Sequence, residues 1–137
     1  LYGYTSQNDS NWLGITPRGL MKFEADTGKW LDLPGTDGKP TKRRVLLGED
    51  EYASGFAADP NGLYLSVKGK SMVRRYDPET LEVAEEYNIA GAGEICRVGG
   101  RLLVVASDSL VALDPRSGTT RKLASGDFSG ATAVAAK

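Results

Sequence analysis

Residues 12–30 read WLGITPRGLMKFEADTGKW, an apolar run, a tight polar turn, a second apolar run and a second turn. The same grammar recurs along the chain. FEADTGKW from Phe23, YDPETLEV from Tyr76 and LDPRSGTT from Leu113 are spaced by 53 and 37 residues, and each leads from one short strand through a turn into the next. Before each comes a β-rich run, WLGIT from Trp12, LYLSV from Leu63 and LLVVA from Leu102, followed by the short turns PRG, KGK and SDS. Earlier still stands a glycine opening a run of small residues, at Gly3, Gly55, Gly93 and Gly130, with spacings of 52, 38 and 37. Self-similarity at a fixed period is the signature of a repeat architecture.

Each unit reads as a meander of four short antiparallel strands. In the second unit these are expected at Phe56–Asp59, Leu63–Val67, Met72–Tyr76 and Val83–Ile89. The turn chemistry agrees, because Asp59-Pro-Asn-Gly62 combines a proline that presets φ with an Asn-Gly pair that accepts positive φ. Asp77-Pro-Glu-Thr80 and Asp114-Pro-Arg-Ser-Gly118 repeat the device. No window of usable length shows the i, i+3, i+4, i+7 apolar spacing of a helix, so the class is all-β.

A unit of four strands and roughly 37 to 40 residues suits a β-propeller blade, a twisted sheet that buries both faces only by packing against copies around an axis. The innermost strands crowd that axis, which accounts for Ala57, Ala58, Ala131, Ala133, Ala135 and Ala136 and for the glycines that open those strands. The expected boundaries are blade one at 1–48 with an insertion at 34–44, blade two at 53–90, blade three at 91–127 and the start of a further innermost strand at 128–137.

WLGITPRGLMKFEADTGKW resembles the repeat of the two-component-regulator propellers, with a Trp-apolar-Gly strand, a Gly-Leu turn and an aromatic-acidic-x-x-Thr-Gly-Lys turn. SLVALDPRSG from Ser109 and SMVRRYDPET from Ser71 are similar to quinoprotein-like and gluconolactonase-like blades. Unit one departs from the regulator pattern with Ile15-Thr16 where a threonine would follow Gly14, and units two and three lack the Trp-x-Gly. The resemblance implies the fold more than a function, since such propellers host sensors, hydrolases, oxidoreductases and plain scaffolds.

Propellers close with four to eight blades, and three units leave hydrophobic blade faces open. The expectation is an arc of a larger propeller of six to eight blades. The alternative is two copies joined into a six-bladed ring. The first is favoured because both ends fall mid-pattern. The chain opens at Leu1 without a methionine or a charged-then-apolar leader, as a processed or proteolytic start would.

A propeller ligand sits over the axis, on loops that enter the innermost strands or join second to third strands. Those loops are Thr16–Gly19, Gly48–Ser54, Lys68–Lys70, Ala90–Glu94 and Ser107–Ser109, so the candidate ligand-binding residues are Arg18, Lys68, Lys70, Glu94 and Asp108, with Phe56 near the axis. The run Glu49-Asp50-Glu51 lacks the spaced acidic pattern of a cation loop and reads as a solvated loop. Cys96, the one cysteine, has no internal disulfide partner and no histidine to activate it, and reads as a buried structural residue. The insertion has a hairpin-tip core, Thr36-Asp-Gly-Lys39, and a basic cluster, Lys39, Lys42, Arg43 and Arg44, for which a decorated loop partly neutralised by Glu49–Glu51 is the simpler reading than an anion contact. Trp12 and Trp30 read as packing between blades.

Lys plus Arg is 17 against 18 for Asp plus Glu, so no general affinity for nucleic acid or an anionic membrane is expected. The apolar runs of four to six residues fall far short of the roughly 20 that span a bilayer. The chain has no histidine, which removes Ser-His and Cys-His activation and imidazole metal ligands from this segment. It carries neither a phosphate-binding glycine loop nor zinc-spaced cysteines, so no cofactor or metal is expected. The expected function is a non-catalytic binding or protein-interaction scaffold in a periplasmic or extracellular setting. Its partner would be a small molecule, a carbohydrate or a protein. The alternative is a segment of a lactonase, lyase or quinoprotein enzyme with its catalytic groups on other blades. A third reading, a lectin-like ring, needs an exposed Trp12 or Trp30.

Overall fold

A computed structural model describes residues 2–5, 11–15, 19–24 and 26–128, with side chains described from residue 19 onward. The described residues form fifteen strands and no helix. Blade one contains β1 (Tyr2–Thr5), β2 (Asn11–Ile15), β3 (Gly19–Glu24) and β4 (Trp30–Leu31) in antiparallel order. A hairpin of β5 (Leu33–Pro34) and β6 (Pro40–Thr41) follows, and β7 (Arg44–Val45) then returns to β3. The insertion therefore interrupts the outer strand. Lys22 faces Leu31, so an unbroken ladder would set Leu33 opposite Leu20. Leu20 faces Arg44 instead, eleven residues further on.

Blade two runs β8 (Tyr52–Asp59), β9 (Gly62–Lys68), β10 (Met72–Tyr76) and β11 (Val83–Asn88) as a four-stranded meander. Blade three repeats it with β12 (Ile95–Val98), β13 (Arg101–Val105), β14 (Ser109–Asp114) and β15 (Thr119–Ser125). Because strand side chains alternate between faces, each sheet divides its apolar residues between two neighbours. In blade two, Phe56, Ala58, Leu63, Leu65, Val67 and Tyr76 join Leu20, Leu33 and Leu47 on the side of blade one. Ala57, Tyr64, Val73 and Tyr87 join Ile95, Leu102, Val104, Val111 and Leu113 of blade three. Leu20, Tyr64, Leu65, Leu102 and Leu113 are completely buried. At about 1.5–3 kcal/mol for each large apolar side chain, these two interfaces dominate the stability.

The first strands of the three sheets, β1, β8 and β12, lie next to one another. Gly55 shows why a glycine opens such a strand. A Cβ there would meet the carbonyl oxygen of Gly93 at 2.3 Å and Cα of Glu94 at 2.9 Å, both backbone atoms.

The third-to-fourth strand turns share one construction. Backbone N–H groups of Gly28, Leu81 and Gly118 donate to the carbonyls of Glu24, Asp77 and Asp114, at 2.8–2.9 Å, and all three residues have positive φ. Asp77 caps its turn by accepting from the N–H groups of Glu79 and Thr80 at 2.8 and 2.9 Å, and Asp114 accepts from Arg116 N–H at 3.0 Å. Blade two has leucine where the other blades have glycine. The burial of Leu81 in the core shared with blade one offsets its left-handed backbone.

Two sequence expectations are corrected. Trp30 does not pack between blades. It is 48% exposed on the two-residue outer strand β4 and makes an edge-to-face contact with Phe23, its cross-strand partner, at 5.2 Å between ring centroids. Cys96 is only half-buried, because its face of β12 is opposite to the one that packs on blade two. Trp12 lies in β2, and its side chain falls outside the described ones.

Candidate functional site

Loops of blades two and three approach one another at the end where the chain enters β8 and β12. Ile89 N–H donates to Ser71 O at 3.0 Å within blade two and Gly93 N–H to Val105 O at 2.8 Å within blade three, while Ser54 Oγ donates to Ala92 O at 3.1 Å and joins the two. The charged candidates do not converge in the same way. Lys68 and Lys70 are exposed around the β9–β10 turn, and exposed Asp108 is spent on Ser109, whose Oγ donates to it at 2.9 Å. No hydrogen bond or ion pair joins Lys68, Lys70 and Asp108. Glu94 is half-buried just before β12, and its carbonyl accepts from Val105 N–H at 2.9 Å. Phe56 is 8% exposed and belongs to the core between blades one and two. Arg18 lies outside the described residues.

Among the described residues no group of three acidic or sulfur ligands could hold a metal. In the acidic run, Glu51 forms a two-pronged pair with Arg74 of β10 at 3.2 and 3.0 Å and accepts from Gly48 N–H at 2.9 Å. The Arg74 hydrogen bond, followed by that of Gly48, holds the Glu51 carboxyl below its ordinary value. Burial opposes the charge of Arg74, but hydrogen bonds with Glu51 and Tyr76 outweigh it and hold the guanidinium above its ordinary value. The pair anchors the segment that enters β8 onto blade two. Nearby Tyr76 Oη donates to Leu46 O at 3.0 Å and ties down the same segment.

The other end of the blades, which sequence reasoning passed over, holds a cleft of about 370 Å³ between blades two and three. Asp59, Tyr64, Arg75, Glu85, Pro115 and Arg116 line it. Its signal in the sequence is the pair of Asp-Pro turns, Asp59-Pro60 and Asp114-Pro115, which lie at one end of adjacent sheets. Asp59 accepts from Asn61 and Gly62 N–H at 2.8 and 3.1 Å and from Tyr64 Oη at 3.4 Å. Burial, with the charge of Asp59 adding to it, pushes the Tyr64 hydroxyl well above the usual phenol range. Arg75 donates to Asn61 O at 3.0 Å and to Glu85 at 3.3 Å, and Tyr87 Oη donates to Pro115 O at 2.9 Å across the blades. These groups are spent largely on one another within blade two, and the Tyr87–Pro115 bond joins the cleft's two sides.

Among the described residues, nothing packs on one face of blade three. Cys96, Leu103, Leu110 and Ala112 are half-buried there, between exposed Val98 and the charged Arg101 and Arg121. On the outer strand β15, Leu123 sits at the register shift and is 42% exposed.

No family profile matches the chain, and no curated protein matches it. Among solved structures it is similar to the N-terminal domain of Nup159, a β-propeller, with a TM-score of 0.56 and 15% sequence identity. The match covers 90% of this chain and 33% of that one, so the chain spans about a third of the length of that neighbour. At that identity the likeness concerns the fold alone: the chain has an all-β, β-propeller-like fold built of antiparallel blades.

Proposed function

We propose that the chain is a non-catalytic binding scaffold, an arc of a larger propeller whose third blade presents its open face to a further four-stranded blade. The observation that carries this reading is the unequal coverage of the blades. Among the described residues, blade two is covered on both faces, while blade three is covered on one and has Cys96, Leu103, Leu110 and Ala112 half-buried on the other. A blade stacked there would continue the packing already made between blades two and three. Large open apolar faces mark interaction surfaces in soluble proteins. The match to about a third of a propeller domain supports an arc rather than a closed ring.

The test is the solution mass of the 137-residue chain by light scattering, beside that of a Leu103→Lys, Leu110→Lys variant. The wild-type chain is expected to self-associate as concentration rises and to bind a hydrophobic dye. The variant should be monomeric and dye-free with an unchanged far-ultraviolet spectrum. A wild-type chain that stays monomeric and dye-free at millimolar concentration overturns the reading.

A further inference from the structure

Propeller packing makes no use of the hollow formed by the insertion in blade one. The β5–β6 hairpin and the residues leading into β7 border an open hollow of about 370 Å³, lined by Lys39, Arg43 and Arg44 and, among others, Thr36, Asp37 and Thr41. The acidic run near it in sequence was expected to offset this positive charge. Glu51 instead turns away to Arg74. Of the basic cluster, only Lys42 pairs within the insertion region, with Asp32 at 2.7 Å. Asp37 accepts the backbone N–H of Lys39 at 3.0 Å, and neither the Lys39 ammonium nor the Arg43 guanidinium has a carboxylate partner among the described residues.

Arg44 is the second, independent observation. It is 4% exposed, although arginine is rarely buried without full pairing. One terminal nitrogen donates to Pro34 O at 3.2 Å and the other to Glu82, an exposed carboxylate of the neighbouring blade, at 3.0 Å. Its Nε–H is buried with no acceptor. Native structures rarely leave a buried donor of this kind unpaired. Hairpin and blade thus hold a guanidinium in the lining of a hollow whose other cations, Lys39 and Arg43, have no carboxylate partner among the described residues. A planar guanidinium flanked by further cations suits the several acceptor oxygens of a tetrahedral anion.

We propose that this hollow binds a tetrahedral oxyanion, phosphate or sulfate, either free or carried on a small organic molecule. Lys39 and Arg43 hold the anion at the rim and Arg44 forms the floor. The buried Nε–H of Arg44 is the unsatisfied donor at this site. The site stands apart from the open face of blade three and is tested independently of it.

The experiment is a titration of the ¹⁵N-labelled chain with inorganic phosphate at constant ionic strength, following the arginine Nε–H signals and the amides of residues 35–45. Saturable shifts are expected at Arg43, Arg44 and the hairpin. The Lys39→Gln, Arg43→Gln variant should bind at least five-fold more weakly, while Arg121→Gln on blade three binds as wild type. A parallel titration with phenyl phosphate separates the sources: tighter binding points to a carried group, equal binding to the free anion. Shifts that do not saturate, that sodium chloride reproduces, or that Arg121→Gln reduces as much as the double variant overturn the proposal. An unmoved Arg44 Nε signal also overturns it.

Discussion

Replacing Gly55 by alanine tests the way the innermost strands converge. The added Cβ would lie 2.3 Å from Gly93 O, 2.9 Å from Glu94 Cα and 3.0 Å from Ile95 N, whereas ordinary contacts begin at 3.4 Å. All three are backbone atoms, so no side chain can swing aside. Restoring ordinary contact requires β8 and β12 to separate by about 1 Å, in an interior packed too densely to absorb such a shift. The movement pulls Ile95 and Ala92 away from Ala57 and strains the bond from Ser54 Oγ to Ala92 O. Overpacking costs typically about 1–3 kcal/mol, and a clash confined to backbone belongs at the upper end, so about 3 kcal/mol is expected. The melting temperature should fall by roughly 10 °C for a chain of this size. The assay is guanidinium denaturation followed by far-ultraviolet dichroism, with Gly100→Ala as the companion variant. A Cβ at Gly100 meets nothing within 4 Å, and its backbone is not left-handed, so that change should stay within about 0.5 kcal/mol of wild type. A Gly55→Ala protein as stable as Gly100→Ala would refute the convergence of the inner strands.

Two further outcomes follow from the turns and ion pairs. Leu81→Ala should destabilise more than Leu81→Gly, although alanine is the closer in size, because alanine keeps the φ of 60° and glycine relieves a backbone cost of about 1–2 kcal/mol. Both variants lose the buried leucine, at about 2–5 kcal/mol, so both should be less stable than wild type in the same denaturation assay, and the reverse order would contradict the turn assignment. The folded-state pKa of Glu51 is lowered, so its contribution is present above the ordinary glutamate value of 4.5 and is lost as pH falls through the lowered value. Glu51→Gln should therefore be less stable at neutral pH and lose less stability on acidification, read as denaturation midpoint against pH. Parallel curves for the two proteins would show that the Arg74 pair contributes nothing.

Much of the architecture was legible in the chain because strands and turns are written locally. Short β-rich runs mark Leu63–Val67 and Leu102–Val105 as strands, and Asp-Pro-Asn-Gly and Thr-Gly-Lys mark turns, without knowledge of distant residues. Gly55 was legible as a point of close approach because it recurs in register with Gly3 and Gly93. The insertion showed itself as an excess over the repeat, and its Thr36–Lys39 core is the tip of a two-stranded hairpin as the residue types suggest. For the axial candidates, burial and partner are not written in the loop sequence: Phe56 lies in the core and Asp108 is spent on Ser109.

Alone, the sequence determined the all-β class, the four-strand repeat, the turn chemistry and the position of the insertion, since each depends on residues a few positions apart. Only the tertiary structure decided that Glu51 faces Arg74 rather than the basic cluster, that Arg44 is buried with a free Nε–H, that Trp30 stands at the rim and that Cys96 lies on an open face. A residue's partner is set by how the sheets stack, and stacking juxtaposes groups 23 to 38 positions apart, as in Glu51 with Arg74 and Arg44 with Glu82. Local pattern specifies which way a strand's side chains alternate; what each face meets is a property of the packed blades.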